Sequence, residues 1–145
     1  MFCNNFNVCP GDFNLFVSLQ ALSRVQFLKK LNLSENFLNG TLSRFVEQME
    51  MLEVLNLDVN NLTALCPAVQ SWVNLRVFTI SDNSLTELPP EAGSWEKLTV
   101  LNVKNNKLTN IGSLPQSWPL LERLYLGQGI LHCALYSLSD VCARS

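Results

Sequence analysis

The stretch Leu98-Thr99-Val100-Leu101-Asn102-Val103-Lys104-Asn105-Asn106-Lys107-Leu108 decides how the whole chain is read. Its form is L-x-x-L-x-L-x-x-N-x-L, with valine at the third apolar position. The same form stands upstream at Leu28-Leu31-Leu33-Asn36-Leu38, Leu52-Leu55-Leu57-Asn60-Leu62 and Leu75-Phe78-Ile80-Asn83-Leu85. It stands downstream at Leu121-Leu124-Leu126-Gly129-Leu131, with glycine replacing the asparagine. The copies start at 28, 52, 75, 98 and 121, at spacings of 24, 23, 23 and 23 residues.

Within each copy the middle apolar pair (Leu31/Leu33, Leu55/Leu57, Phe78/Ile80, Leu101/Val103) alternates with period two, the mark of a strand with one buried face. A strand this short cannot bury its apolar side chains alone. It must stack on its neighbours, which predicts a parallel sheet with one strand per copy. Asn36, Asn60, Asn83 and Asn106 fall where the chain must turn, and an asparagine amide can bond the backbone of a turn. Stacked copies would align these amides as a structural ladder. Self-similarity at this period and in this pattern resembles the leucine-rich repeat family over 28–131, about seven tenths of the chain. The resemblance implies an α/β repeat solenoid, a curved array with its parallel β-sheet on the concave face. Its convex legs would be irregular, 3-10 or shortly helical.

The return legs repeat too. Leu62/Leu65, Leu85/Leu88 and Leu108/Ile111 continue the apolar seam, and Trp72, Trp95 and Trp118 each precede a new copy by three positions. A large ring in one register is read as convex-side core, with a stacked aromatic ligand site as the alternative. Met49 and Val25 hold the same register earlier in the chain. Pro67, Pro89, Pro90 and Pro115 exclude long convex helices in the later copies, whereas the segment 42–51 could hold one or two helical turns. Residues 1–27 fit the repeat poorly and read as a degenerate copy or N-terminal cap, or as an abrupt start inside a longer array. At the far end Gly129 ends the ladder, and Leu135, Leu138 and Val141 at helical spacing predict a short C-terminal capping helix over 132–145.

Composition bounds the function. The chain has 145 residues, of which 48% are apolar and 15% charged, enough for one continuous core. A net charge of −2 offers no basic field to a phosphate backbone, which argues against nucleic acid. No apolar run approaches the ~18 residues of a membrane span. The start, Met-Phe-Cys-Asn-Asn-Phe-Asn, lacks the basic and apolar regions of a signal peptide. The expected compartment is therefore the cytoplasm, or the cell surface or exterior if Met1 is not the native start.

Cysteines lie at 3, 9, 66, 133 and 142. Two before and two after the repeats resemble the cysteine-bearing caps of extracellular leucine-rich repeat proteins. That resemblance implies Cys3–Cys9 and Cys133–Cys142 disulfides, although the clustered spacings of such caps are absent. Free buried thiols are the alternative. N-x-S/T sequons begin at Asn32, Asn39 and Asn61, and Asn32 would project from a strand into the concave face. The Leu38-Asn39-Gly40-Thr41-Leu42 segment resembles plant-receptor and kinetoplastid surface-antigen repeats. The Leu88-Pro89-Pro90-Glu91 and Leu114-Pro115-Gln116-Ser117-Trp118 legs are similar to those of the surface antigens. The 23-residue middle copies are closer to intracellular scaffolds.

Strand alternation lists the open face of the sheet. One column is Lys30, Val54, Val77, Val100 and Arg123; the next is Asn32, Asn56, Thr79, Asn102 and Tyr125. A third holds Ser34, Asp58, Ser81, Lys104 and Gly127, flanked by Glu35, Val59, Asp82, Asn105 and Gln128. The valines either pair across strands or form an apolar strip for a partner, with Tyr125 and Arg123 as anchors by residue type. Five strands ~4.8 Å apart and about five residues long span only a few hundred Å². A standard interface takes roughly 800 Å² per partner. A binding surface would therefore include the turns, or the chain is part of a longer array.

Catalysis has little to draw on. His132 is the sole histidine, and a zinc site from His132, Cys133 and Cys142 would lack a fourth ligand at usual spacing. No glycine-rich phosphate loop is present, and Glu87, Glu91 and Glu96 sit on the convex leg as solvated charges. No cofactor or metal is expected. Three functions stand open. The first is an intracellular scaffold or regulatory subunit binding a protein or peptide. The others are a fragment of an extracellular receptor or surface antigen, and the recognition domain of a longer enzyme.

Overall fold

The computed structural model describes residues 27–42 and 49–127. The alternating pairs form five three-residue strands: β1 (Lys30–Asn32), β3 (Val54–Asn56), β5 (Val77–Thr79), β6 (Val100–Asn102) and β7 (Arg123–Tyr125). They make one parallel sheet in the order β1-β3-β5-β6-β7, so each copy pairs only with its neighbours. The middle residue of the first four strands (Leu31, Leu55, Phe78, Leu101) is buried, and so is the residue two further on (Leu33, Leu57, Ile80, Val103). In β7, the last strand described, Leu124 and Leu126 are half-buried against the same core.

After each of the first four strands of this sheet the chain turns through a residue with positive φ: Glu35 (55°), Val59 (57°), Asp82 (56°) and Asn105 (54°). The ladder asparagine follows immediately. Glutamate and valine rarely adopt this left-handed conformation, and valine least readily. Stacking holds them there. The N–H groups of Glu35, Val59 and Asp82 donate to Asp58, Ser81 and Lys104 carbonyls of the next copy, at 2.9, 2.9 and 3.0 Å.

The return legs carry the expected 3-10 turns, at Pro67–Ser71, Pro90–Ser94 and Leu114–Ser117. Proline near the start of each has no N–H to leave unpaired. Each turn delivers a tryptophan to the core: Trp72, Trp95 and Trp118 are at most 2% exposed. Trp72 and Trp95 stack at 6.0 Å between ring centroids, Trp95 and Trp118 at 6.3 Å, and Phe78 meets the first two edge-on at 5.8 and 5.3 Å. The Trp95 and Trp118 indoles donate to the Val69 and Ala92 carbonyls of the preceding leg at 2.9 and 2.8 Å. Burying ~200 Å² per ring at ~25 cal/mol/Å² is worth about 5 kcal/mol each before entropy. With no ring face accessible, the column is core and offers no aromatic ligand site. The serine before Trp95 stitches the legs together, Ser94 Oγ donating to the Gln70 and Glu91 carbonyls at 3.2 and 2.8 Å.

One element was not anticipated. β2 (Asn39–Leu42) and β4 (Asn61–Leu65) pair in parallel as a second sheet, with a register shift between Gly40 and Thr41. Leu42 belongs to a strand; the N-terminal cap, the C-terminal capping helix and, of the segment 42–51 expected to hold helical turns, residues 43–48 lie outside the described residues. So do Gly129, His132 and the cysteines at 3, 9, 133 and 142. Cys66 is buried.

Candidate functional site

The open face of the five-stranded sheet holds the residues singled out from the sequence. Register places Lys30, Val54, Val77, Val100 and Arg123 side by side in one row, and Asn32, Asn56, Thr79, Asn102 and Tyr125 in the next. The three valines are half-buried, while Lys30 and Arg123 are exposed at the ends of the row. Tyr125 is 38% exposed, and the Lys104 ammonium lies 5.2 Å from its ring centroid, a cation–π contact that holds the phenol ring in place.

The polar row is less free than its composition suggests. Asn32, Asn56 and Asn102 each turn Oδ1 back to accept the N–H two residues on, from Ser34, Asp58 and Lys104 at 2.9, 2.8 and 3.2 Å. Thr79 replaces asparagine in the third copy and makes no such bond. The Ser81 N–H instead donates to Asp58 Oδ1 from the preceding copy, at 2.6 Å. Asp58, read from the sequence as a binding residue, is thus engaged in the sheet's own turn. Among the described residues, Thr79 Oγ1 is buried without a hydrogen-bond partner.

The ladder asparagines lie beneath the turns, not on the open face. Asn60 Nδ2 donates to Leu33, Leu57 and Asp58 carbonyls, and its Oδ1 accepts from Leu38 N–H at 3.1 Å. Asn83 and Asn106 repeat the arrangement one and two copies on, capping Leu62 and Leu85 N–H at 2.9 Å each. Asn36 donates to Leu33 and Ser34 carbonyls within its own turn. The Asn60, Asn83 and Asn106 amides therefore each tie the copy that carries them to the copy before.

Charge is sparse around the face. Lys29 and Glu53 form an ion pair at 2.8 Å beside the first strands. That hydrogen bond, aided by the charges of Lys29, Arg76 and Lys30, holds the Glu53 carboxyl below its ordinary pKa against an opposing desolvation. Asp82 Oδ1 accepts from Asn105 Nδ2 at 2.8 Å across the turns. Among the described residues no group of three histidine, cysteine or acidic side chains is placed to hold a metal ion, and no helix is long and apolar enough to cross a membrane. The sequence reading passed over Phe37, 65% exposed just after a ladder asparagine. The signal was available: the same position holds Asn61, Ser84 and Lys107 in later copies.

Comparison with known proteins agrees with this architecture. Residues 73–116 match the family model of leucine-rich repeats in two copies, and 27–49 match that of a single leucine-rich repeat. The chain belongs to the leucine-rich repeat family. A leucine-rich repeat protein of Leptospira interrogans is 30% identical with a TM-score of 0.68, over 71% of this chain and 26% of its own. The plant peptide hormone receptor RGFR1, solved in complex with RGF2, is 31% identical with a TM-score of 0.65, over 74% of this chain and 18% of its own. An internalin from Listeria monocytogenes is 20% identical with a TM-score of 0.69, over 82% of this chain and 35% of its own, and shows the fold alone. The chain thus spans about a quarter of the length of the Leptospira protein and less than a fifth of the plant receptor. No curated protein matches it by sequence.

Proposed function

We propose that the chain is a non-catalytic module that binds a protein or peptide across the open face of the five-stranded sheet and the turns beyond it. The register that lines Val54, Val77 and Val100 up with Arg123, next to Tyr125, carries this reading. An apolar strip ending in an arginine and a tyrosine has the residue types that dominate binding energy at interfaces. The asparagines beside the strip satisfy their own turns, so a partner need not desolvate unpaired amide oxygens to reach it.

Size sets the manner of binding. Five strands of three residues cover roughly 200 Å² at ~4.8 Å between strands and ~3.3 Å per residue. That is a quarter of the ~800 Å² a standard partner covers. The bound segment is therefore an extended peptide that also touches the turn residues Val59, Asp82 and Asn105, or this stretch supplies part of a longer array's surface. The same geometry serves an intracellular scaffold or a receptor ectodomain. The likeness to a plant hormone receptor supports the second, and the role of a recognition part beside a separate catalytic domain stays a third.

A random peptide library selected on the immobilised full chain tests the proposal. Selected peptides should lose at least tenfold in affinity, about 1.4 kcal/mol, on Tyr125→Ala or Val77→Asp, and keep it on the convex-side Glu87→Ala. Peptides indifferent to both sheet substitutions would overturn it.

A further inference from the structure

The sequons at Asn32, Asn39 and Asn61 are alike in sequence, and the fold treats them differently. Asn32 lies in β1 on the open sheet, half-buried, with its Oδ1 accepting the Ser34 N–H at 2.9 Å. The residue that completes its sequon, Ser34, is likewise half-buried. Asn39 and Asn61 lie in the other sheet, β2 and β4. Both are exposed, and so are Thr41 and Thr63, which complete their sequons.

Their amides are also distinctive. Among the described residues, every other asparagine side chain is hydrogen-bonded: Asn36, Asn60, Asn83 and Asn106 in the ladder, Asn32, Asn56 and Asn102 in the turns, and Asn74, Asn105 and Asn110 at the surface. Asn39 and Asn61 alone have no side-chain hydrogen bond. Space is open as well. Gly40 turns the chain directly after Asn39 with φ of 68°, and a Cβ there would meet nothing within 4 Å.

From these observations the structure assigns Asn39 and Asn61 as acceptor sites for N-linked glycan in a glycosylating compartment, and it excludes Asn32. In the transfer, Asn Nδ2 bonds to the sugar C1 of a lipid-diphosphate oligosaccharide. The C1–O bond breaks, the diphosphate leaves with the electron pair, and the amide proton passes to a base of the transferase. The fold accommodates an attached glycan at Asn39 or Asn61, because no side-chain hydrogen bond is lost and the glycan departs into solvent. At Asn32 a glycan would lie across the half-buried strands and over Asn56, its Cα partner in the sheet. The two sites are themselves Cα partners on adjacent parallel strands, about 5 Å apart. Sugar would therefore gather on one flank and leave the open sheet bare.

The full 145-residue chain behind an added secretion leader, translated with endoplasmic microsomes, tests this. Attachment precedes folding, so the species to score is the protease-resistant monomer. Enzymatic release of glycan in heavy-oxygen water leaves an isotopic mark at each occupied position. The expected marks fall on Asn39, Asn61 or both, and not on Asn32. The N39Q/N61Q double variant should run unglycosylated and melt with the untreated parent. Should that variant misfold, T41A/T63A abolishes the same sequons and keeps both amides. A mark on Asn32 in the folded monomer, or no mark at either assigned site, would overturn the assignment.

Discussion

Asn83 is the rung where the ladder's contribution can be measured with least ambiguity. Its Nδ2 donates to the Leu57, Ile80 and Ser81 carbonyls at 3.0, 3.3 and 3.0 Å, and its Oδ1 accepts from Leu62 N–H at 2.9 Å. In Asn83→Ala the three carbonyls keep second donors: Asn60 Nδ2 on Leu57, Asn106 Nδ2 on Ile80, and Val59 N–H on Ser81. The Leu62 N–H has no such reserve and sits in a buried residue of β4. An orphaned buried N–H costs ~1–3 kcal/mol, and weakening the shared bonds adds about 1, so the substitution should cost about 3 kcal/mol. Asn106→Ala deletes the matching bonds where the amide is only half-buried and water can replace it, so it should cost about 1 kcal/mol. Urea titration reads both: at an m of ~1–3 kcal/mol/M, Asn83→Ala lowers the midpoint by roughly 1–3 M with m unchanged. Asn83→Asp sharpens the test, because it keeps the acceptor for Leu62 and turns a carboxylate toward three carbonyls. Its folded pKa would be raised, so that variant is most stable below the ordinary carboxylate pKa and loses stability as pH rises through the raised one. Equal costs at Asn83 and Asn106, or a flat pH profile for Asn83→Asp, would refute the reasoning.

Other perturbations probe the strain, the core and the surface charge. Val59→Asn places at φ of 57° a residue that tolerates it, as Asn105 does two turns away, and should add about 1 kcal/mol, seen as a melting point raised by about 3 °C; a lowered melting point would show that Val59 packs more than it strains. Trp95→Phe removes the indole N–H from the Val69 carbonyl and part of a ring that is wholly buried, and should cost about 2–3 kcal/mol in chemical denaturation. Glu53→Gln removes an exposed ion pair. Because the Glu53 pKa is lowered in the folded chain, its contribution is present above the ordinary carboxylate pKa and fades as pH falls through the lowered one. The variant should therefore lose less stability than the parent on acidification at low salt and match it at high salt; a difference that persists at high salt would contradict an electrostatic origin.

The sheet was legible because its signal is geometric. Period-two pairs such as Leu55/Leu57 admit one buried face, and a repeat of 23 or 24 residues leaves each strand only its neighbours to pair with. The 3-10 legs were legible through Pro67, Pro90 and Pro115, which cannot continue a ladder of N–H donors. The second sheet was hidden for the opposite reason. In β4 the buried Leu62 and Leu65 stand three apart, a spacing no flat strand has, and only the register shift opposite Gly40/Thr41 accommodates it. The left-handed turn position was hidden too, since Glu35, Val59, Asp82 and Asn105 share no chemistry, and only the last two have side chains suited to it.

The open face shows where reading columns of residues stops working. Listing side chains by alternation treats each position as independent, and on that basis Asp58 is a solvent-facing charge available to a partner. The exchange of asparagine for threonine at Thr79 changes that, because a threonine hydroxyl does not reach the N–H two residues on as the amide oxygens of Asn56 and Asn102 do. The exposed need falls on the neighbouring copy, whose Asp58 spans to Ser81 at 2.6 Å. A carboxylate occupied in this way gives less to a partner than its charge suggests, since withdrawing it would leave the Ser81 N–H unpaired in a buried residue. The residues on this face with side chains still to commit are therefore the half-buried valines and exposed Arg123 and Tyr125. In a solenoid the unit that decides a side chain's availability is the pair of adjacent copies, and a sequence column must be read two rows at a time.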